Sequence, residues 1–470
     1  RGVVDKIINY DTNERALGDW RNRVAFVGDD EDGSRHTRQA DEITDTLRRR
    51  YNYLNIDKIF FDAYPQVATP GGTRYPGVND AINQAVFKGT LAITYLGHGG
   101  SSGWAEERVL SIPDILSWEN YDQPPLLVTA TCSFAGYDDP VFTTAGEEAI
   151  LNNRGGAIAL LTTVRAVFSS FNRALTEEVM KALFEQPEGR TQTLGEIMTR
   201  AKNKLTSAGI LTNSRKFTLL GDPAMRIAQP NYEVATTRIN TEPVSAGRLD
   251  TLRALQRVTV EGQVLRPDGQ PAEDFDGILS PTIFDKSTIA STLGQDRTSP
   301  IVDYEIQRNV IFRGRATVAD GRFSFTFVVP RDINYELGRG KISYYAADER
   351  ALLDATGAYE AVIIGGTDPD AALDEEGPQV DVYMNTDDFA FGGITDENPT
   401  LLVLLEDDNG INVVGNSIGH DLEAVLDEDT QNTLLLNDFY ESEIDDYRRG
   451  RVRFPLARSE ERRVGKECPS

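Results

Sequence analysis

Short apolar runs alternate with amphipathic stretches over the first half of the chain. Arg23–Gly28 (RVAFVG) is nearly all apolar, the pattern of a strand covered on both faces. Similar runs fall at 57–61 (DKIFF), 91–96 (LAITYL), 126–130 (LLVTA), 156–161 (GAIALL) and 217–220 (FTLL). Helical spacing between them predicts helices over 37–51, 78–88, 169–185 and 193–207, and Val3, Val4, Ile7 and Ile8 place the chain start in a helix. Residues 64–77 are rich in Pro and Gly and read as a loop. Strands alternating with helices predict an α/β domain over residues 1–230, with a mostly parallel sheet flanked by helices.

Near Tyr232 the period changes. Strand patterns at 257–265, 312–318, 322–329 and 341–346 are now separated by polar turns such as Pro267-Asp268-Gly269 and Ala319-Asp320-Gly321. Turns joining period-two runs predict antiparallel, Ig-like β-sandwich modules, one over 231–366 and a second over 377–458. The acidic stretch 365–378 has no apolar period and reads as a linker. The final residues, 459–470, continue no strand pattern and are expected to be a non-native tail carrying Cys468.

Composition narrows the function. The 470 residues carry 74 acidic and 48 basic side chains, a net charge of −26, which excludes a nucleic-acid partner because phosphate binding needs a basic face. Either a solvated surface or acidic loops for divalent cations accounts for the excess. No apolar run is long enough for a membrane-spanning helix. The chain begins at Arg1, within a helical pattern and without a signal peptide, and is expected to be a fragment. Its two cysteines, Cys132 and Cys468, make no disulfide framework, so Cys132 needs its own explanation.

Two strand ends carry reactive residues. The run 91–96 leads into Gly97-His98-Gly99-Gly100-Ser101, and 126–130 leads into Thr131-Cys132-Ser133-Phe134-Ala135-Gly136. Sites on open parallel sheets form beyond the carboxyl ends of strands, so neighbouring strands would set His98 beside Cys132. A thiolate is the nucleophile in such a pair, and an imidazole within reach both favours it and protonates the leaving amine. The Gly99 and Cys132 N–H groups are candidate oxyanion donors, with the glycines leaving room for substrate backbone. The competing view is a Cys that is merely a small buried hydrophobe and a His that is merely structural. Against it, the chain has only three histidines, and one sits in a Gly-His-Gly-Gly frame after a strand. The acidic loop supplies Asp29, Asp30 and Asp32 as candidate ligands for calcium, although it lacks the ligand alternation of an EF-hand and also reads as a solvated loop. His420 reads as structural, Asp222 as a turn cap, and Trp104 with the aromatics near 118–121 as core or rim.

YLGHGG at 95–100, LLVTATCSFAGYDDP at 126–140, GEEAILNNRGGAIALLTTVR at 146–165 and FTLLGDPAMRIA at 217–228 resemble the gingipain-type cysteine peptidases, which share the caspase-like fold. DWRNRVAFVGDDEDG at 19–33, HTRQAD at 36–41 and DDNGINVVGNSIGHDLEAVLDED at 407–429 are similar to the sortase-like branch that serves the type IX secretion system. The resemblance implies His98 as general base and acid, Cys132 as nucleophile, and the Gly99 and Cys132 amides as oxyanion site. It places the specificity pocket at Thr162, Thr163, Val164 and Arg165, and implies an acidic residue orienting the histidine, for which Asp29 and Asp30 are the candidates. It implies no cofactor. The implied partners are secreted cargo proteins with C-terminal sorting domains, an anionic lipopolysaccharide acceptor and an outer-membrane barrel, at the cell surface. A plain secreted endopeptidase and a non-enzymatic surface scaffold remain alternatives, because hydrolysis and transfer pass through one acyl-enzyme.

Overall fold

The structure, a computed structural model, describes residues 1–456 except 210, 370–375, 391, 396–398, 415–420 and 427–432. The expectations for His420 and for the tail with Cys468 lie outside the described residues. Packing divides the chain into two compact units: residues 1–233 with 288–306 and 347–357, and the remainder.

The first unit is built on a six-stranded sheet of β1 (Arg23–Gly28), β2 (Asn55–Phe60), β3 (Ala92–Leu96), β4 (Leu126–Ala130), β5 (Ala159–Thr163) and β6 (Phe217–Leu220). The spatial order is β2-β1-β3-β4-β5-β6, with five parallel strands and β6 antiparallel at one edge. Successive side chains of a strand point to opposite faces, and here both faces are dry. Val24 and Phe26 pack with Ile43 and Leu47 of α2 (Glu31–Arg50), Val179 of α6 (Ser169–Phe184) and Ile197 of α7 (Leu194–Ser207). Ala25 and Val27 pack on the other side with Ile82 of α3 (Pro76–Lys88), Ile115 of α4 (Ile112–Ser117) and Ala149 of α5 (Ala145–Leu151). This double burial is why the strands read as unbroken apolar runs.

The helix at the chain start, α1 (Gly2–Thr12), is anchored by a buried ammonium. Lys6 Nζ donates to the carbonyls of Ile150 (3.0 Å), Asn152 (3.1 Å) and Gly155 (2.7 Å), satisfying acceptors where α5 ends. Burial pulls the Lys6 pKa down to about 8.

Two excursions from the later sequence belong to this first unit, a division finer than the three spans read from periodicity. The hairpin of Thr288–Ser291 and Asp303–Ile306 sets Tyr304 edge to face against Phe60 with ring centroids 4.9 Å apart and pairs Glu305 with Arg48. In residues 347–357, Asp354 accepts from the buried Arg21 guanidinium at 2.7 Å. Local periodicity describes a strand's faces and carries nothing about which body a hairpin docks on.

The second unit is β structure. Arg257–Leu265 runs antiparallel to Arg322–Val328 with strictly alternating burial, and Gln379–Met384, Thr400–Glu406, Asp446–Pro455 and Tyr440–Glu443 form an antiparallel sheet. One exception to the expected pattern is the parallel pairing of Asp250–Ala254 with Val362–Thr367. Its only helical segment among the described residues is the single turn Asn437–Phe439.

Candidate active site

β3 and β4 are parallel neighbours with Leu96 opposite Ala130, so His98 and Cys132 each lie two residues beyond the same rung. The sheet thus delivers both residues to one edge, at the carboxyl ends of adjacent strands, as the spacing of the two motifs predicts.

The His98 peptide is held at both ends. Its N–H donates to Asp29 Oδ2 at 2.8 Å, and its carbonyl accepts from the Tyr95 hydroxyl at 2.5 Å and the Ala105 N–H at 2.9 Å. Tyr95 is fixed in turn by stacking on Trp104, centroids 4.4 Å apart. The glycines around His98 have separate causes. A Cβ on Gly97 would lie 2.4 Å from the Tyr95 hydroxyl and 2.5 Å from Asp29 Cβ, and one on Gly99 would lie 2.8 Å from Thr131 Oγ1. Protein packing, not room for substrate, therefore requires glycine at 97 and 99; only Gly100 faces open space. Gly99 sits opposite Trp104 in a short antiparallel ribbon. The adjoining His98 carbonyl points at the partner strand, so the Gly99 N–H falls on the ribbon's outer side.

The acids around the imidazole differ from the candidates read in the sequence. Asp29 is fully buried and spends its carboxylate on the N–H groups of His98 and Glu31. Asp30 accepts from the Tyr75 hydroxyl at 2.9 Å. Neither is paired with the His98 ring. The carboxylates beside Nε2 are those of Glu31 at 3.6 Å and Asp32 at 3.4 Å. Burial raises the pKa of Asp29, Asp30 and Glu31, in Asp29 against the two N–H donors. Glu107, buried nearby, is pushed up to about 7, first by desolvation and then by Asp29 and Glu31.

The turn that presents Asp32 is left-handed at three successive residues, Asp32 (φ 55°), Gly33 (φ 73°) and Ser34 (φ 55°). Two of these are not glycine and are costly there. The hairpin of residues 288–306 supports them: Ser34 Oγ donates to the Pro300 carbonyl, and Ser299 Oγ donates to the Asp30 carbonyl. Asp62 ties the hairpin down by accepting from the N–H groups of Gly294 (2.6 Å) and Gln295 (3.0 Å).

Cys132 is a half-buried free thiol, with Sγ 3.9 Å from the Val167 carbonyl oxygen. The next residue, Ser133, takes a left-handed conformation (φ 49°) that turns the chain away from the strand. Of the four residues placed at a specificity pocket, Thr162 and Thr163 do not line an opening. Both are fully buried, Thr162 hydrogen-bonded to Thr129 and Thr163 to the Thr131 carbonyl. Val164 is half-buried, and Arg165 is exposed in a bidentate pair with Asp138 from the loop after Cys132. The rim between these loops carries exposed Tyr137, Val141, Phe142 and Phe168.

Asp29, Asp30 and Asp32 do not gather as one calcium-type cage. The groups that converge are Asp29, Glu31 and His98, and Asp32, His36 and His98. Sequence reading missed Glu31, His36 and Glu107, because one acid in an acidic run looks like the next. Asp222 does cap its turn, accepting from the Ala224 N–H at 2.8 Å, and Trp104 is core.

The first unit is thus an α/β domain, a mostly parallel sheet between two helical layers with a histidine and a cysteine following two adjacent central strands. Residues 1–228 match the model of peptidase family C25. Among solved structures, dimeric latent PorU from Porphyromonas gingivalis is similar at 19% identity and a TM-score of 0.34, over 93% of this chain and 51% of that one. The chain thus spans about half of that protein's length. The complex of Porphyromonas gingivalis RgpB pro- and mature domains is similar at 15% identity and a TM-score of 0.42, over 76% of this chain and 73% of that one. The Arg-specific cysteine proteinase gingipain R gives 15% identity and a TM-score of 0.40, over 76% and 71%. A search of the curated proteins finds no match. No helix among the described residues is long and apolar enough to cross a membrane.

Proposed function

We propose that Cys132 and His98 are the catalytic pair and that the enzyme is a cell-surface processing peptidase of the sortase type. It would remove the C-terminal sorting domain of type IX secretion cargo and join the new carboxyl terminus to anionic lipopolysaccharide, beside an outer-membrane barrel of the PorV kind. The observation that carries the catalytic part is the shared rung Leu96–Ala130, which brings His98 and Cys132 to one edge of a C25 domain. The sortase part rests on the resemblance of residues 19–33, 36–41 and 407–429.

In this scheme the Cys132 thiolate attacks the scissile carbonyl, and the Gly99 and Cys132 N–H groups receive the developing oxyanion. The C–N bond breaks, His98 gives its proton to the leaving amine, and a thioester remains. Glu31 and Asp32, beside Nε2, keep the ring oriented. An amine of the acceptor, or water, then attacks the thioester and restores the thiolate. Which of them reacts depends on which is held in line with the acyl carbonyl. The aromatic rim of Tyr137, Phe142 and Phe168 is where an extended cargo segment would lie.

The test is mass spectrometry of mature cargo from cells carrying this chain or its Cys132→Ala variant. A saccharide remnant on the cargo carboxyl terminus, lost in the variant, is the expected result. Free carboxyl termini on every molecule would reduce the enzyme to an endopeptidase, and unchanged maturation in the variant would overturn both readings.

A further inference from the structure

We propose that Asp32, His36 and His98 form a binding site for a zinc-class divalent metal, and that an ion there switches the peptidase off. His36 belongs to the HTRQAD segment, which the peptidase mechanism leaves without a task. Its side chain is only 4% exposed, yet Nε2 has no hydrogen-bond partner. A buried polar atom left unpaired is costly, and its persistence in a core asks for a ligand.

That atom faces two others. Asp32 Oδ2 lies 3.7 Å from His36 Nε2 and 3.4 Å from His98 Nε2, and the three atoms lie within 4.8 Å of one another. Both separations are too long for good hydrogen bonds. They fit the edges of a metal tetrahedron, since bonds of about 2.0–2.1 Å at the tetrahedral angle set neighbouring ligand atoms roughly 3.3 Å apart. The rings of His36 and His98 meet edge to face at 5.4 Å, so neither blocks the other's nitrogen. Two imidazoles and one carboxylate, with a fourth position open, suit zinc or its borderline neighbours and not calcium, which takes six or more oxygens.

The surroundings are consistent with this ligand set. The left-handed turn at residues 32–34 brings Asp32 over both rings. Asp32 and His98 are nearly half exposed, which gives an ion a path in. The consequence for activity, which alone rests on the proposed function, follows from the shared histidine. A metal bound at Nε2 takes the neutral ring's lone pair, so His98 can no longer accept the thiol proton to form the thiolate–imidazolium pair.

The experiment is calorimetric titration of the full chain, stripped of metal and kept reduced, with zinc chloride. Wild type is expected to take one ion per chain, and Cys132→Ala is expected to bind as tightly. Asp32→Asn, a half-exposed position that leaves folding intact, and His36→Gln should each weaken binding at least tenfold. Unaltered binding in both, or loss of binding in Cys132→Ala, would overturn the site and place the ion on the thiol instead. Zinc should also slow iodoacetamide labelling of Cys132 at least fivefold in wild type and leave His36→Gln unaffected; equal slowing in both would overturn the switch. A Cys132 that labels no faster than free cysteine without metal would count against the peptidase reading, while the isotherm still decides the metal site.

Discussion

Position in the chain and position in the site coincide for some residues and not for others. His98 and Cys132 are legible because each follows an apolar run that can only be a buried strand, and parallel pairing then aligns them. Glu31 and His36 are not, because a left-handed turn that no propensity foretells brings them to the imidazole. Tyr95→Phe removes one of three hydrogen bonds fixing the His98 peptide. It should cost about 1 kcal/mol of stability and a larger share of activity than of substrate binding, read as a fall in kcat with KM little changed. Glu107 supplies a pH test. Its carboxyl is near 7 in the fold against an ordinary 4.5, so stability present below about 4.5 is lost as pH rises through 7. Glu107→Gln should therefore be more stable than wild type by about 1–3 kcal/mol at pH 8 and no more stable at pH 4.5, measured by urea unfolding. An equal difference at both pH values would contradict the assignment.

Elements show the same division between what local pattern reveals and what tertiary packing decides. The predicted strand 156–161 begins instead at Ala159, because Gly156 (φ 80°) turns against Ala149, where a Cβ would lie 2.1 Å from the carbonyl oxygen. Glycine at a turn and glycine in a buried strand look alike in an apolar run. The hairpin of residues 288–306 falls in the span read as β-sandwich, yet it packs on the first unit and supports the acidic turn at residues 30–34. Asp62→Ala strips its tie to Gly294 and Gln295 and should cost about 2–3 kcal/mol. Backbone amides of residues 29–34 should then exchange faster with solvent, whereas those of β3 and β4 should not. Lys6→Met leaves three carbonyls at the end of α5 without their donor. A loss of about 2–4 kcal/mol in thermal or urea unfolding is expected, since buried acceptors lose a charged partner.

For the whole molecule, the alternation of strands and helices in the first unit and the β structure of the second, among the described residues, follow the pattern of apolar positions, and the net charge of −26 marks a surface unsuited to nucleic acid. One sheet edge carries both Cys132 and His98, with the carboxylates of Glu31 and Asp32 beside the imidazole and the buried Asp29 beneath its peptide. The central claim is that this edge makes Cys132 a nucleophile through His98. The direct measurement is the rate of iodoacetamide labelling of Cys132 at pH 6.5, in metal-free protein, followed by peptide mapping in wild type and His98→Ala. Labelling at least tenfold faster in wild type than in His98→Ala, and faster than free cysteine, is the predicted result. Equal rates in the two proteins, at the level of an ordinary thiol, would contradict it.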